Sequence, residues 1–214
     1  MITYVTPTGA KNGNGDAVNA TATFTTSKDT VKVELSNLLV NQKSVGQNIS
    51  DLLFTISTGE KTGSISSSSA IYRSVAGDGS YIDSLPGAVT GWALSTVGPS
   101  LYLDALVAAP PDQTILGSPD GSNVYSNANP SIAGNGPHNP FLFGPVTFTL
   151  SVLGVTDAST ISAATFSFGT EHGDNVPGVP SDTPGVPEPA SILMGLTAVA
   201  GLGGFAGWRR RRQA

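Results

Sequence analysis

The chain has 214 residues, of which 12% are charged, with 26 Gly, 15 Pro and no Cys. So few charges and so many turn residues exclude a coiled coil, a helical bundle and a charge-rich disordered chain, and the missing thiols exclude disulfides and Cys-type zinc sites. The formal net charge is −5, and four of the ten basic residues are Arg209, Arg210, Arg211 and Arg212, so the rest of the chain is strongly acidic and offers nucleic acid no surface that would neutralise phosphates.

The opening MITYVTPTGAKNGNGD lacks a basic n-region and a continuous apolar run, so no signal peptide is read there. From about Ala17 the pattern becomes that of strands. Val18, Ala20, Ala22 and Phe24 alternate with Asn19, Thr21, Thr23 and Thr25. Beyond a turn at Ser27-Lys28-Asp29, Val31, Val33 and Leu35 alternate with Lys32, Glu34 and Ser36. Two period-2 runs around turn residues predict a β-hairpin with one buried and one wet face. Leu52, Phe54 and Ile56 predict a third strand, and residues 57–69 are a Ser/Thr/Gly stretch with little to bury. Further strands are expected over 71–75, 89–97 and 101–106, although LYLDALVAA at the last of these suits a helix equally well.

Residues 109–145 are dense in Pro, Gly, Asn and Ser and read as a long surface excursion, with short strands at 114–116 and 141–143. The alternation returns at Val146, Phe148, Leu150 and Val152, and a final run over 161–168 ends in Phe166 and Phe168. Seven or so short strands with polar connections predict an all-β domain over 1–174, an antiparallel β-sandwich of jelly-roll or immunoglobulin-like type. Residues 175–189 (NVPGVPSDTPGVPEP) repeat PGVP and hold five prolines, which predicts an extended linker with no room for helix or sheet. Residues 190–208 (ASILMGLTAVAGLGGFAGW) have neither charge nor Pro. As a helix they would span roughly 28 Å, close to the hydrocarbon thickness of a bilayer. Trp208 stands where an interfacial aromatic belongs, and Arg209, Arg210, Arg211 and Arg212 form a stop-transfer block. The expectation is one transmembrane helix, oriented N-outside, with 209–214 as a basic cytoplasmic tail.

Val186-Pro187-Glu188-Pro189, an apolar helix and a terminal Arg cluster together resemble the PEP-CTERM sorting signal of exported proteins in Gram-negative bacteria that make extracellular polysaccharide. The resemblance covers 186–214 and rests on the spacing of the three parts, since PEP alone is a short motif. It implies that the tail is a substrate of exosortase, an integral-membrane cysteine protease or transpeptidase. It also implies transient residence in the inner membrane, then the cell surface or extracellular matrix of a biofilm, next to exopolysaccharide. Glu188 would be a recognition contact and not a catalyst. Family members carry an N-terminal signal peptide, so the resemblance further implies a natural start upstream of Met1.

The body shows no motif that marks an enzyme, and no catalytic residue, cofactor or metal is expected. Glu171-His172-x-Asp174 has metal-ligand residue types, but beside a linker and without identifiable further ligands it reads as a solvated strand end. His138 lies in a loop, Asp120-Gly121-Ser122-Asn123 is only a fragment of a calcium loop, and Asp83 and Asp104 fall near strand patterns without forming a recognisable acid pair. The body therefore reads as structural or adhesive. A carbohydrate-binding module is the alternative, using Trp92, Tyr72, Tyr81, Tyr102 and Tyr125 as sugar platforms, and an uncharacterised hydrolase is the third reading.

Overall fold

The computed structural model describes residues 1–107, 111 and 113–181, and in them the alternating runs become thirteen strands joined in one hydrogen-bonded network. In chain order these are β1 (Ile2–Val5), β2 (Ala20–Ser27), β3 (Thr30–Asn37), β4 (Ile49–Ile56), β5 (Ser64–Val75), β6 (Tyr81–Asp83) and β7 (Ala93–Val97). They continue with β8 (Ser100–Asp104), β9 (Ile115–Leu116), β10 (Phe141–Ser151), β11 (Ile161–Phe168), β12 (Asn175–Pro177) and β13 (Val179–Pro180). One 3-10 turn, Val45–Gln47, is the sole helical segment among the described residues. The all-β expectation holds. The strand at Ser100–Asp104 also decides the helix-or-strand ambiguity of LYLDALVAA, because Leu101 and Leu103 each pair on both sides, with β4 and with β7.

The network has two arms. One runs β13-β1-β2-β3-β10-β5-β6 and the other β12-β11-β4-β8-β7. Short β9 joins them, parallel to β10 and antiparallel to β4. The parallel pairing makes the sheet mixed, where the pattern predicted antiparallel strands throughout. The arms pack in a sandwich-like manner. Ala22 and Phe24, Val31, Val33 and Leu35, and Phe148 and Leu150 are fully buried from the first arm, as are Leu52, Phe54 and Phe166 from the second. The rings of Phe24 and Phe54 meet across the arms with centroids 5.1 Å apart. Burying each of these Val, Leu and Phe side chains contributes about 1.5–3 kcal/mol.

The hairpin of β2 and β3 turns at Lys28-Asp29, as its sequence predicts, with Asp29 at φ 52. The predicted strands at 141–143 and from Val146 are one strand, β10, bent by a bulge at Gly144-Pro145. Gly144 sits at φ 77, and Pro145 has no N–H to give, so the ladder breaks locally and resumes. Before the bulge β10 lies between β5 and β9; after it, between β5 and β3.

Three further differences from the sequence expectation have physical causes. Part of the Ser-rich stretch 57–69 is the start of β5, because its backbone completes the ladder of β10 while its serines stay largely wet. The excursion 109–145 is anchored by a second apolar cluster of Val45, Val75, Leu116, Tyr125, Ile132 and Phe141. Finally, the start of the predicted linker belongs to the body. Residues 175–180 form β12 on β11 and β13 on β1, and the compact unit ends at Ser181. Pro177 and Pro180 are tolerated because both strands are sheet edges, with the side lacking N–H turned away from the ladder. Gly178 between them is required sterically, since a Cβ there would lie 2.9 Å from the Phe166 ring. Its N–H donates to Ala164 O (2.9 Å), and Ser181 N–H donates to Thr3 O (2.8 Å), so this segment straps the two arms together at their open edge. Among the described residues no helix is long and apolar enough to cross a membrane. Residues 182–189, the predicted membrane helix 190–208 and the basic tail 209–214 lie outside the described residues, and with them the whole PEP motif.

Candidate functional site

Strand alternation places Leu52 and Phe54 of β4, and Leu101 and Leu103 of β8, in the core. The same alternation puts Asp51 and Leu53, and Tyr102 and Asp104, on the outer face of the second arm. The register aligns them. Asp51 stands directly opposite Asp104, and Leu53 opposite Tyr102. Ser95 of β7 extends the row beyond Tyr102, and Ser167 and Thr165 of β11 extend it on the other side. These strands floor an open cavity of about 430 Å3 lined by Leu53, Ser95, Tyr102, Asp104, Thr165 and His172, among others.

A loop after β11 roofs one end of this face. Gly169 N–H donates to Asn48 O (3.0 Å), Phe168 N–H donates to Asp174 O (3.2 Å), and the Asp174 carboxylate accepts from Gly13 N–H. Pinned in this way, the loop holds His172 over the acidic pair. His172 Nδ1 lies 3.0 Å from the Tyr102 hydroxyl and 3.9 Å from Asp51 Oδ2, and its Nε2 lies 4.0 Å from Asp104 Oδ2. A second cavity of about 430 Å3 is lined by Gly13, Asn14, Gly46 and residues 168–174.

The electrostatics of the pair are unusual for a surface face. Asp51 is fully buried, and its Oδ1 is the buried side-chain polar atom without a hydrogen-bond partner among the described residues. Its Oδ2 accepts from Ser50 Oγ at 3.2 Å. Burial first, and then the Asp104 carboxyl opposite, push the Asp51 carboxyl up to about 8. The Tyr102 phenol is raised too, by burial and by the charge of the two carboxylates. Asp104 is better served, since its Oδ1 accepts from Leu106 N–H at 2.6 Å. Two acids, an imidazole and a phenol thus converge at the end of an open cavity.

The sequence had singled out His172 and Asp104 separately and had not singled out Asp51. The sequence neighbours of His172, read there as a solvated strand end, do not join the group: Glu171 is exposed and Asp174 serves the loop. Asp83, read beside Asp104, lies elsewhere and pairs with Arg73. The available signal was an Asp inside each of two strand patterns, ISDLLFTI and SLYLD, where Asp is disfavoured. His138 stands apart, its Nδ1 2.7 Å from Pro111 O. Asp120 closes an ordinary turn, accepting from Ser122 N–H at 2.8 Å and Val124 N–H at 3.2 Å.

Of the five aromatics considered as sugar platforms, Trp92 and Tyr125 are buried. Trp92 packs on Phe148 with ring centroids 5.2 Å apart and donates Nε1–H to Gln113 O (2.8 Å). Tyr81 stacks on Arg73, and the Tyr72 hydroxyl meets Ala88 O. Tyr102 alone of the five faces the acidic cavity. Comparison with protein-family models, with curated proteins and with solved structures finds no match.

Proposed function

We propose that the chain is an exported cell-surface or extracellular-matrix protein, with a structural or adhesive β body and a C-terminal tail that exosortase processes as a PEP-CTERM-type sorting signal. The observation that carries this reading is the order of the tail: Val186-Pro187-Glu188-Pro189, the uncharged 190–208, then Arg209, Arg210, Arg211 and Arg212. The placement of the body's end supports it. The last strand stops at Pro180 and the compact unit at Ser181, so cleavage at the motif removes none of the thirteen strands. The prolines between suit a protease cleft, which needs an extended and unpaired backbone. Before processing, the apolar segment and Arg block hold the chain in the inner membrane, N-outside.

The intact mass of the mature protein from its native host, with and without the exosortase, tests the reading. Loss of everything beyond the PEP region in the parent strain alone is the expected result. An unprocessed mass in both strains would reduce the tail to a plain anchor and overturn the sorting role.

Exopolysaccharide binding is the second reading, favoured by one observation. Tyr102 lies in an open cavity beside Ser95, Asp104, Thr165 and Asn175, an aromatic flanked by polar groups of the kind that hold sugars. Retardation of the protein in a polysaccharide-containing affinity gel, abolished by Tyr102→Ala, is its signature.

A further inference from the structure

Among the described residues the Lys and Arg ion pairs are Lys32 with Glu34 and Arg73 with Asp83, and neither reaches Asp51 or Asp104. Two carboxylates therefore face each other across adjacent strands with no protein cation between them. One is fully enclosed and keeps an oxygen without a partner. The third group within reach is an imidazole, and one ligand atom from each of Asp51, Asp104 and His172 lies within 4.8 Å of the other two. We propose that these three side chains bind one divalent transition-metal cation of the zinc or manganese class. This inference is independent of the sorting role of the tail.

The distances suit it. A tetrahedral site with arms of about 2.1 Å has ligand–ligand edges of roughly 3.4 Å. His172 Nε2 stands 4.0 Å from Asp104 Oδ2, and one donor atom from each of the three side chains lies within 4.8 Å of the others, so the edges must close by between about half an ångström and about 1.4 Å. The His172 side chain is 58% exposed and has room to make that movement, while the strands hold the carboxylates still. Outer contacts orient the donors. With Nε2 on the metal, Nδ1–H donates to the Tyr102 oxygen at 3.0 Å, which fixes the ring's tautomer and plane. Ser50 Oγ donates to Asp51 Oδ2 and Leu106 N–H to Asp104 Oδ1, which orients the two carboxyl groups.

The donor set selects the class of ion. Calcium seeks six to eight oxygens and magnesium a mostly watery octahedron, whereas imidazole with carboxylates suits zinc and manganese. A charge of two positive units answers two carboxylates in a place where none is otherwise supplied. Asp104 and His172 line the cavity of about 430 Å3, from which water or a ligand oxygen would complete the shell.

The test uses the untagged full chain, stripped with chelator and titrated calorimetrically with Zn2+, Mn2+, Ca2+ and Mg2+, alongside thermal unfolding at each concentration. The expected result is one equivalent of Zn2+ or Mn2+ per chain, at least about tenfold tighter than Ca2+ or Mg2+, with a midpoint that climbs with metal. Asp51→Asn and His172→Ala should each weaken binding more than about 100-fold, beyond the loss from an outer partner such as Tyr102→Phe, and Glu171→Gln should leave it unchanged. His172→Ala alters an exposed loop side chain, so it carries the test should a carboxylate variant fail to fold. The proposal is overturned by the absence of saturable one-equivalent binding up to millimolar metal, by a preference for Ca2+, or by an equal loss in Glu171→Gln.

Discussion

Arg73 and Asp51 are both buried ionisable groups on strands of the same body, and their surroundings are opposite. The Arg73 guanidinium engages all three of its nitrogens, with Nε and Nη2 on the two oxygens of Asp83, each at 2.7 Å, and Nη1 on the Tyr125 hydroxyl at 2.9 Å. Its carbon lies 3.7 Å from the Tyr81 ring centre and 3.3 Å from that of Phe143. Burial alone would lower its affinity for the proton, but Asp83 and Tyr125 more than offset that and the shift is upward. Asp51 has a serine hydroxyl, a second acid opposite and one oxygen with nothing. The first cluster is complete within the chain and clamps the excursion to the body. The second is incomplete among the described residues, and it is there that the metal proposed above would sit.

Four substitutions break or sharpen this contrast. The largest effect is expected at Asp83. Although its side chain is 34% exposed, Asp83→Ala strands a guanidinium that is only 3% exposed. Chemical denaturation should show a loss of about 3–5 kcal/mol. Tyr125→Phe comes next. It removes the hydroxyl that bridges Arg73 and Gly117 O, the latter at 2.7 Å, and should cost about 1–3 kcal/mol by the same assay.

At the acidic pair the sign reverses. Asp51→Asn removes a buried carboxyl that the metal-free fold must keep protonated and that leaves one oxygen without a partner, and with chelator present at neutral pH it should raise stability by about 1–2 kcal/mol. The pH profile gives the mechanism. A carboxyl whose folded pKa is about 8, above the ordinary unfolded value near 4, holds its proton more tightly when folded. The contribution of Asp51 to metal-free stability is then fully present below about pH 4 and is lost as pH rises towards 8; in Asp51→Asn that descent should flatten. A descent of equal slope in the variant would assign it to other groups. The smallest effect is at Tyr102. Tyr102→Phe is the same chemical change as Tyr125→Phe, but at a half-exposed site, and should move stability by less than about 0.5 kcal/mol. A loss as large as that of Tyr125→Phe would make the two clusters alike and end the distinction between them.

The legibility of this fold followed burial. The hairpin of β2 and β3 had one wet and one dry face, and the strand at Phe54 and the run to Phe168 each had an alternating set of apolar residues, and all were readable. Elements with little to bury were hidden: the serines of β5 and the prolines of β12 and β13, whose backbones pair only because a partner edge is there to receive them, for β5 and β13 from far along the chain. The candidate site shows the same division. Tyr102, Asp104 and His172 were visible one at a time by residue type, and nothing local joined them.

The sequence by itself determined the β class, because period-2 alternation is a property of neighbouring residues. It also carried the order of the tail, because a charge-free run followed by four arginines is a linear signal. Only the tertiary structure decided that Asp51 meets Asp104, since that register depends on the pairing of β4 with β8. Likewise, the approach of His172 depends on a loop held by Gly13 and Asn48, more than a hundred residues earlier in the chain. Contacts of that range are fixed by which strand edges meet, and no local pattern of side chains encodes them.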